Sequence, residues 1–397
     1  MPTDLEQRPS PAPLRRVAAF GFATVVTFFA VSGAPTPLYH VYQQTYGFTA
    51  FTVTVIFAAY VASLLAGLLL FGSLSDFLGR RPVILAGLIV NLLALVAFLA
   101  AEGAAMLILA RFLQGLGTGI AIPALGAQIL DADPKQGAVL NSAGAFVGLM
   151  IGTLLSALLI TYAPYPTHLV YAVLLAVIVM EIGLLTAIPE TVERQRGALA
   201  SIRPRMAIPA RASAAILRTA PVNVAGWALG GFYLSLMPSL VSAVTGLHSP
   251  FVGGAVVSSL MLTALIVVVS FRRLNPGLIL SVGSGSLLLG VATTLLGVST
   301  QQVGLMFAGT VIAGIGFGGN FSAILRIVMP LADRDDRAAL LSTFFVQSYM
   351  AFALPAVGAG IAAPQLGLAA TTYIYGSAVM LLALISLVAT RRIEQMA

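Results

Sequence analysis

The stretch Gly72–Val83, GSLSDFLGRRPV, decides the fold. It sets Asp76, Arg80 and Arg81 close together between two apolar runs, at about 48–73 and 81–100. Each run has the length, roughly 20 residues, that a helix needs to cross the hydrocarbon core of a bilayer. Charges gathered at such a junction mark a loop at a membrane surface. The whole chain agrees. Of its 397 residues 59% are hydrophobic and 8% charged, with a mean hydropathy of +1.01. Soluble domains carry about 25% charged residues, so this composition cannot furnish a water-facing surface. In lipid every backbone polar group must pair internally, which leaves helix bundles or closed barrels. Barrel strands alternate in polarity over about 10 residues, whereas these runs are apolar throughout. The chain reads as an all-α polytopic membrane protein.

Working outward, apolar runs fall at about 16–36, 48–73, 81–100, 104–129, 137–162 and 167–188. A second set follows at 219–244, 250–271, 277–297, 302–329, 338–362 and 367–390. This predicts 12 transmembrane helices in two pseudo-symmetric six-helix bundles, 16–188 and 219–390, joined by a polar linker at 189–218. Basic residues set the orientation, because Lys and Arg are retained in cytoplasmic loops. Arg8, Arg15 and Arg16 lie in the tail 1–15, Arg80 and Arg81 in the 2–3 loop, and Lys135 in the 4–5 loop. Arg194, Arg196, Arg203, Arg205, Arg211 and Arg218 fill the linker; Arg272, Arg273, Arg334 and Arg337 occupy later loops, and Arg391 and Arg392 the tail 391–397. Of the 20 basic residues only Arg111 and Arg326 fall elsewhere. Both termini are therefore expected in the cytoplasm, the first span retained and not cleaved as a signal peptide. The net charge of +7 becomes a topology signal, and nucleic acid is excluded as a partner. Absence of cysteine removes disulfides, thiolate nucleophiles and cysteine metal sites.

The halves echo each other. The fourth span runs QGLGTGIAIPALGAQILDADPKQGAVLNS and the tenth AGIGFGGNFSAILRIVMPLADRDDRAALLS. Gly115, Gly117 and Gly119 match Gly314, Gly316 and Gly318 in alternation, and paired repeats are a common transporter plan. Gly314, Gly316 and Gly319 also fit G-x-G-x-x-G, but no strand precedes them, so they are packing glycines and not a nucleotide loop.

The pattern G-x-x-x-D-x-x-G-R-R formed by Gly72, Asp76, Gly79, Arg80 and Arg81 resembles the signature loop of the major facilitator superfamily of transporters. In that family the loop joins the second and third spans. Physically, Gly72 lets another helix approach, Gly79 permits a restricted turn, and Asp76 can accept from N–H groups at a helix N-terminus. The resemblance implies that this terminus belongs to the eleventh span, near Ala338. Arg80 and Arg81 would then pair with Asp131, Asp133 and Glu190, tying one half to the other as a latch on the cytoplasmic side.

Within the fourth span, RFLQGLGTG is similar to the family's R-x-x-x-G-x-G motif. Arg111, Gly115 and Gly119 share one face, so Arg111 points into the bundle. It is read either as an arginine bonded to carbonyls and polar groups of the first span or as part of the substrate or proton pathway. GAFVGLMIG, with Gly144, Gly148 and Gly152 on one face, resembles the antiporter motif of the family's drug exporters, with Leu149 where that motif has proline. The only acid well inside a span is Glu181. An isolated carboxylate in lipid tends to bind a proton, which makes it a possible proton carrier. Its place in the inner half of a sixth helix, peripheral in the family, favours a structural role within snorkelling reach of the interface. The first span has no acid, only Thr24, Thr27, Ser32 and Thr36.

The reading that follows is a secondary active transporter of a small organic solute by alternating access, proton-coupled and exporting a drug or metabolite. The resemblance places the cavity among spans 1, 4, 7 and 10, with Thr27, Arg111, Gln114, Trp227, Tyr233 and Asn320 as candidates. Those residues include no acid, so an anionic or neutral amphipath fits better than a cation. An uptake symporter or facilitator is the alternative, and a non-transporting sensor with the same fold belongs to a different class. An enzyme is not expected: His40, His168 and His248 lie near the outer ends of different spans without neighbouring acids. Neither cofactor nor metal is called for. The expected setting is a monomer in the lipid bilayer of the cell membrane, the cytoplasmic (inner) membrane of a bacterium.

Overall fold

Apolar sequence in lipid leaves a backbone no partner but itself, and this chain is helical almost from end to end. The computed structural model describes residues 11–198, 202, 206–247, 249–333 and 337–394. Arg8, Arg203, Arg205, His248 and Arg334 lie outside them, as do the side chains of Arg337, Arg391 and Arg392. The first part of the chain forms α1 (Pro11–Gly33), α2 (Pro35–Tyr46), α3 (Ala50–Phe71), α4 (Leu74–Leu78), α5 (Arg80–Leu99), α6 (Ala104–Ala132), α7 (Gly137–Tyr162) and α8 (Leu169–Leu185). The second part forms α9 (Ala210–Ser235), α10 (Met237–Thr245), α11 (Pro250–Ser270), α12 (Pro276–Thr300), α13 (Val303–Val328), α14 (Arg337–Leu366) and α15 (Leu368–Glu394). No strand occurs among the described residues.

Among those residues, 10 helical segments are long and apolar enough to cross a membrane, or 11 if a bent pair counts as one span. The pair is α9 and α10, bent by 65°. α8, at 17 residues, is a shorter apolar helix. One expectation changes. The seventh span is not one straight helix, because Pro238 cannot donate to the carbonyl of Leu234 and the chain turns at Leu236. Within the expected linker 189–218 the chain is also helical from Ala210, where α9 begins and takes in Arg211 and Arg218. The first span, Leu14–Tyr46, has no comparable bend, but its hydrogen bonding is broken at a like point: Pro35 and Pro37 follow Ala34, and α2 carries the chain on to Tyr46.

Large apolar residues on the outside, such as Leu93 and Val96 of α5, Leu289 of α12 and Leu381 of α15, are exposed because lipid covers them. Burial therefore gives little drive for helix association in a bilayer, and close packing of small residues takes its place. The alternating glycines show how. A Cβ on Gly115 would overlap the Tyr60 carbonyl of α3, and one on Gly119 the Leu64 carbonyl. Gly117 faces the other way, its Cβ position 2.9 Å from the Gly87 carbonyl of α5. In the second half Gly314 and Gly318 lie against α11 at Leu260 and Ala264, while Gly316 meets Leu287 of α12. Positions four apart face one neighbour and the intervening one faces its opposite, so α6 and α13 are each clasped between two helices. Gly144, Gly148 and Gly152 of α7 form a third seam, along α1 at Val25, Val26 and Ala30.

Gly152→Leu should therefore drive α7 off α1, because its Cβ would overlap the Ala30 carbonyl. The expected loss is at least about 1–3 kcal/mol, the usual penalty of overpacking. Gly183→Ala meets nothing within 4 Å and should be neutral or stabilising by up to about 1 kcal/mol, as helix propensity dictates. Thermal unfolding of the detergent-solubilised protein distinguishes the two.

Candidate functional site

A cavity of about 940 Å3 lies between the two halves. It runs from Arg111 and Phe57, deep in the protein, to Gly72, Asp76 and Phe77 beside the arginine-rich loops, and across to Leu341 and Ser342 of α14. We call that the basic side. On the opposite side the halves are in contact. Thr36 Oγ1 donates to the Leu234 carbonyl at 3.0 Å, and Ser239 Oγ donates to Gln43 Oε1 at 2.6 Å. Nearer mid-membrane, Ser258 Oγ reaches the Met150 carbonyl at 3.4 Å.

The lining is largely apolar, and one wall of it is aromatic. The Trp227 ring meets Tyr349 and Phe352 of α14 edge-on, at centroid separations of 5.1 and 5.6 Å, and Phe321 of α13 at 6.2 Å. Asn223 and Asn320 bring amides, the former bonded to Ser348 Oγ at 3.0 Å. The only charged groups that line the cavity among the described residues are Arg111 at its head and Asp76 at its mouth.

Arg111 is 2% exposed and pairs with no carboxylate among the described residues. Its guanidinium lies 4.4 Å from the Tyr60 ring centroid, and Nη1 donates to Gln114 Oε1 and, at 3.2 Å, to the Ser32 carbonyl. The reason lies in the broken first span. Pro35 and Pro37 have no N–H, so the carbonyls of Val31 and Gly33 lose their helical donors. Gln114 Nε2 donates to Val31 at 2.7 Å and Thr153 Oγ1 to Gly33 at 3.3 Å, while Arg111 takes the carbonyl between them. In the other half Leu234, freed by Pro238, is the carbonyl that receives Thr36. The two breaks thus meet, and one supplies the donor that the other lacks.

At the mouth, the Gly72–Arg81 loop contains the short helix α4. Arg80 is buried; Nη1 pairs with Asp76 and donates to Ser75 Oγ at 2.8 Å, and Nε bonds Asp131 Oδ2 at 3.1 Å. Glu190 binds backbone instead of a guanidinium, accepting from the N–H groups of Arg80 at 2.8 Å and Arg81 at 3.0 Å. Gly79 sits at φ +93°, a backbone that side chains resist, and a Cβ there would run into the Glu190 carboxylate. Asp133 accepts only from the backbone of its own turn, at Lys135 and Gln136. In this arrangement, open on the basic side, the loop differs from the expected latch. Asp131 belongs to the same half as the loop and Glu190 to the start of the linker that leaves that half, so these bonds do not join the loop to the other half. Among the described residues Asp76 is partnered by Arg80 and not by α14, because the cavity mouth lies between them. Gly72 is no point of close helix approach: its Cβ position lies 3.9 Å from Pro123, an ordinary contact.

Of the cavity candidates, Arg111, Trp227 and Asn320 line it. Thr27, Gln114 and Tyr233 do not, because each hydroxyl or amide is used inside its own half. Tyr233 bonds Thr310 Oγ1 at 2.9 Å. Thr27 Oγ1 donates to Glu181 Oε1 at 2.7 Å. Glu181 is not snorkelling at the periphery; it is 4% exposed, turned inward onto α1, with Oε2 buried and unpartnered. A cavity lined mainly by apolar and aromatic groups is what the resemblance implies; Phe345, Tyr349 and Phe352, which were not among the candidates, recur at helical spacing and so share a face.

The match to known proteins decides the family. Residues 20–354 match the model of the Major Facilitator Superfamily. The chain belongs to that superfamily. Over 106 residues it is 35% identical to Multidrug resistance protein 3 of Bacillus subtilis (strain 168), covering 26% of this chain and 21% of that one. Multidrug transporter MdfA of Shigella boydii serotype 4 (strain Sb227) is 27% identical over 285 residues, 66% of this chain and 67% of its own. The first curated relatives are matched over only 21–31% of their own length. In fold, the chain is similar to the human organic anion transporter MFSD10 (TETRAN), with a TM-score of 0.66 at 17% identity, over 96% of this chain and all of the other. The protein is accordingly a multi-pass member of the Major Facilitator Superfamily.

The capping of the broken span can be tested by rescue. Gln114→Leu leaves the Val31 carbonyl unpaired and should cost about 1–3 kcal/mol. Pro35→Ala in that background returns a backbone donor and should recover part of the loss. Arg111→Lys should rescue Arg111→Ala poorly, since an ammonium lacks the planar fork of donors. Thermal unfolding of the single and double variants reads each outcome; an additive loss in Gln114→Leu/Pro35→Ala would contradict the assignment.

Proposed function

We propose that the protein exports a small, largely apolar organic solute across the cytoplasmic membrane by proton-coupled alternating access. The observation that carries this reading is the cavity: largely apolar with one aromatic wall, placed between the halves, open on the basic side and shut by inter-half contacts on the other. The halves 16–188 and 219–390 would rock about it, with the termini and linker in the cytoplasm and the protein acting as a monomer. The Gly72–Arg81 loop would then latch onto α14 when the cytoplasmic side closes, Asp76 leaving Arg80 for the helix N-terminus. The glycine seam of α7 and the drug exporters among the relatives favour efflux over uptake.

Charge selectivity follows from the lining. Arg111 places a cation at the head of the cavity, and its one acid, Asp76, is held by Arg80 at the mouth. Neutral and anionic amphipaths are accommodated, and cations meet an uncompensated guanidinium. The coupling proton is assigned to Glu181, an acid without a basic partner among the described residues, bonded to the helix that carries the break beside Arg111. Movement of α1 would alter its one hydrogen bond.

In everted vesicles energised by a proton gradient, Nile red (neutral) and fluorescein (anionic) should be moved, and ethidium (cationic) not. No movement of any of these probes beyond empty vesicles would oppose the transport reading, and preferential ethidium transport the charge assignment. Glu181→Gln should slow gradient-driven transport at least about ten-fold, as loss of a proton-transfer group does, yet leave counterflow in proteoliposomes intact. Unchanged gradient-driven transport would remove Glu181 from the coupling route without touching the cavity.

A further inference from the structure

We infer that a niche between α5 and α8 on the basic side binds the headgroup of an anionic phospholipid. It encloses about 520 Å3 and joins two kinds of surface. Arg81 and Arg194 form its polar end, and Leu85 of α5 with Ile182 and Leu185 of α8 its apolar floor. Arg81 is fixed there: its Nη2 donates to the Thr186 carbonyl at 3.1 Å, and its Nε is buried without a partner. Arg194 is exposed and forms no ion pair with any described residue. Glu190, the niche's only acid, is already committed to the backbone N–H groups of Arg80, Arg81 and Thr191. The niche therefore presents two cations against one acid whose oxygens are in use.

What covers such a site must be an anion with an apolar tail. Guanidinium groups match the geometry of phosphate oxygens. Away from the arginines, the same two helices carry further exposed apolar side chains, Ile89 and Leu93 of α5 and Val179 of α8. A phosphate at Arg81 and Arg194 would thus let an acyl chain lie along the furrow between the two helices. Free phosphate uses only the polar end, and a zwitterionic headgroup brings its own cation towards the arginines. Retention of arginines in cytoplasmic loops explains why basic residues occur on this side. It does not explain why these two stand over an apolar furrow.

The test is native mass spectrometry of the purified full chain, titrated separately with phosphatidylglycerol, phosphatidylcholine and inorganic phosphate. Phosphatidylglycerol should be retained in preference to both others. Arg194→Gln and Arg81→Gln should each weaken retention about five-fold, equivalent to roughly 1 kcal/mol for a basic residue near an anionic surface. Ile182→Asn should weaken it as well, by breaking the apolar floor. Arg272→Gln/Arg273→Gln, which removes exposed charge from the same side but outside the niche, should have no effect. Equal retention of the two lipids, retention of phosphate as strong as that of phosphatidylglycerol, or an equal fall in the Arg272/Arg273 variant would overturn the proposal. Arg194→Gln keeps the test decisive should Arg81→Gln fail to fold, because Arg194 is exposed and unbonded to described residues.

Discussion

A backbone carbonyl without a donor costs several kcal/mol in hydrocarbon, where no water can replace the lost bond. Three prolines create such carbonyls near the middle of this protein, and much of the interior is arranged to answer them. Gln114, Arg111 and Thr153 reach from α6 and α7 to the break between α1 and α2. Thr36, lying in that break, reaches across to the matching break in the other half. Arg111 needs no carboxylate because carbonyl oxygens, an amide and the Tyr60 ring face surround it. The donor set that repairs the helix therefore also places a cation at the head of the cavity. The structure and the proposed substrate preference share one residue.

The cross-half bond from Thr36 to Leu234 has a second consequence. It forms only while the two breaks are pressed together on the side opposite the basic loops. Separating them exposes a carbonyl that has no donor of its own, which opposes casual opening. On the basic side the loop is fastened through Arg80 to Asp131 and Glu190, so on the proposed mechanism that half would move with its latch in place. In that proposal what changes between states need only be the partner of Asp76, an exposed end of a buried charge cluster. Glycine seams make such motion workable, because smooth backbone faces within each half hold the helices as a body while the wet interface between halves opens.

Much was legible in the sequence, for reasons that are local. Hydropathy alone determined that the chain crosses a membrane as helices, since lipid permits little else. The alternation of Gly115, Gly117 and Gly119 announced two close neighbours, and the Gly72–Arg81 pattern announced the superfamily. Helical spacing also put Arg111 on the face of Gly115, where it points inward. Each of these depends on the properties of neighbouring residues along one segment. Even the wall of Phe345, Tyr349 and Phe352 was written in its spacing.

Tertiary structure alone decided who meets whom. Pro35 and Pro37 foretell lost hydrogen bonds, but no local rule names Gln114 and Thr153 as the donors that replace them. Glu181 looked peripheral from its place in the sixth apolar run, and only the packing of α8 on α1 turned it onto Thr27. Asp131 and Glu190 were readable as acids near Arg80, yet whether or not they joined the halves depended on which loops lay side by side. Likewise Tyr233 and Gln114, polar residues on cavity-forming helices, face away from the cavity because buried partners claim their donors first. A hydrogen bond needs both of its ends within about 3 Å, and that distance belongs to the fold and not to the order of residues along the chain.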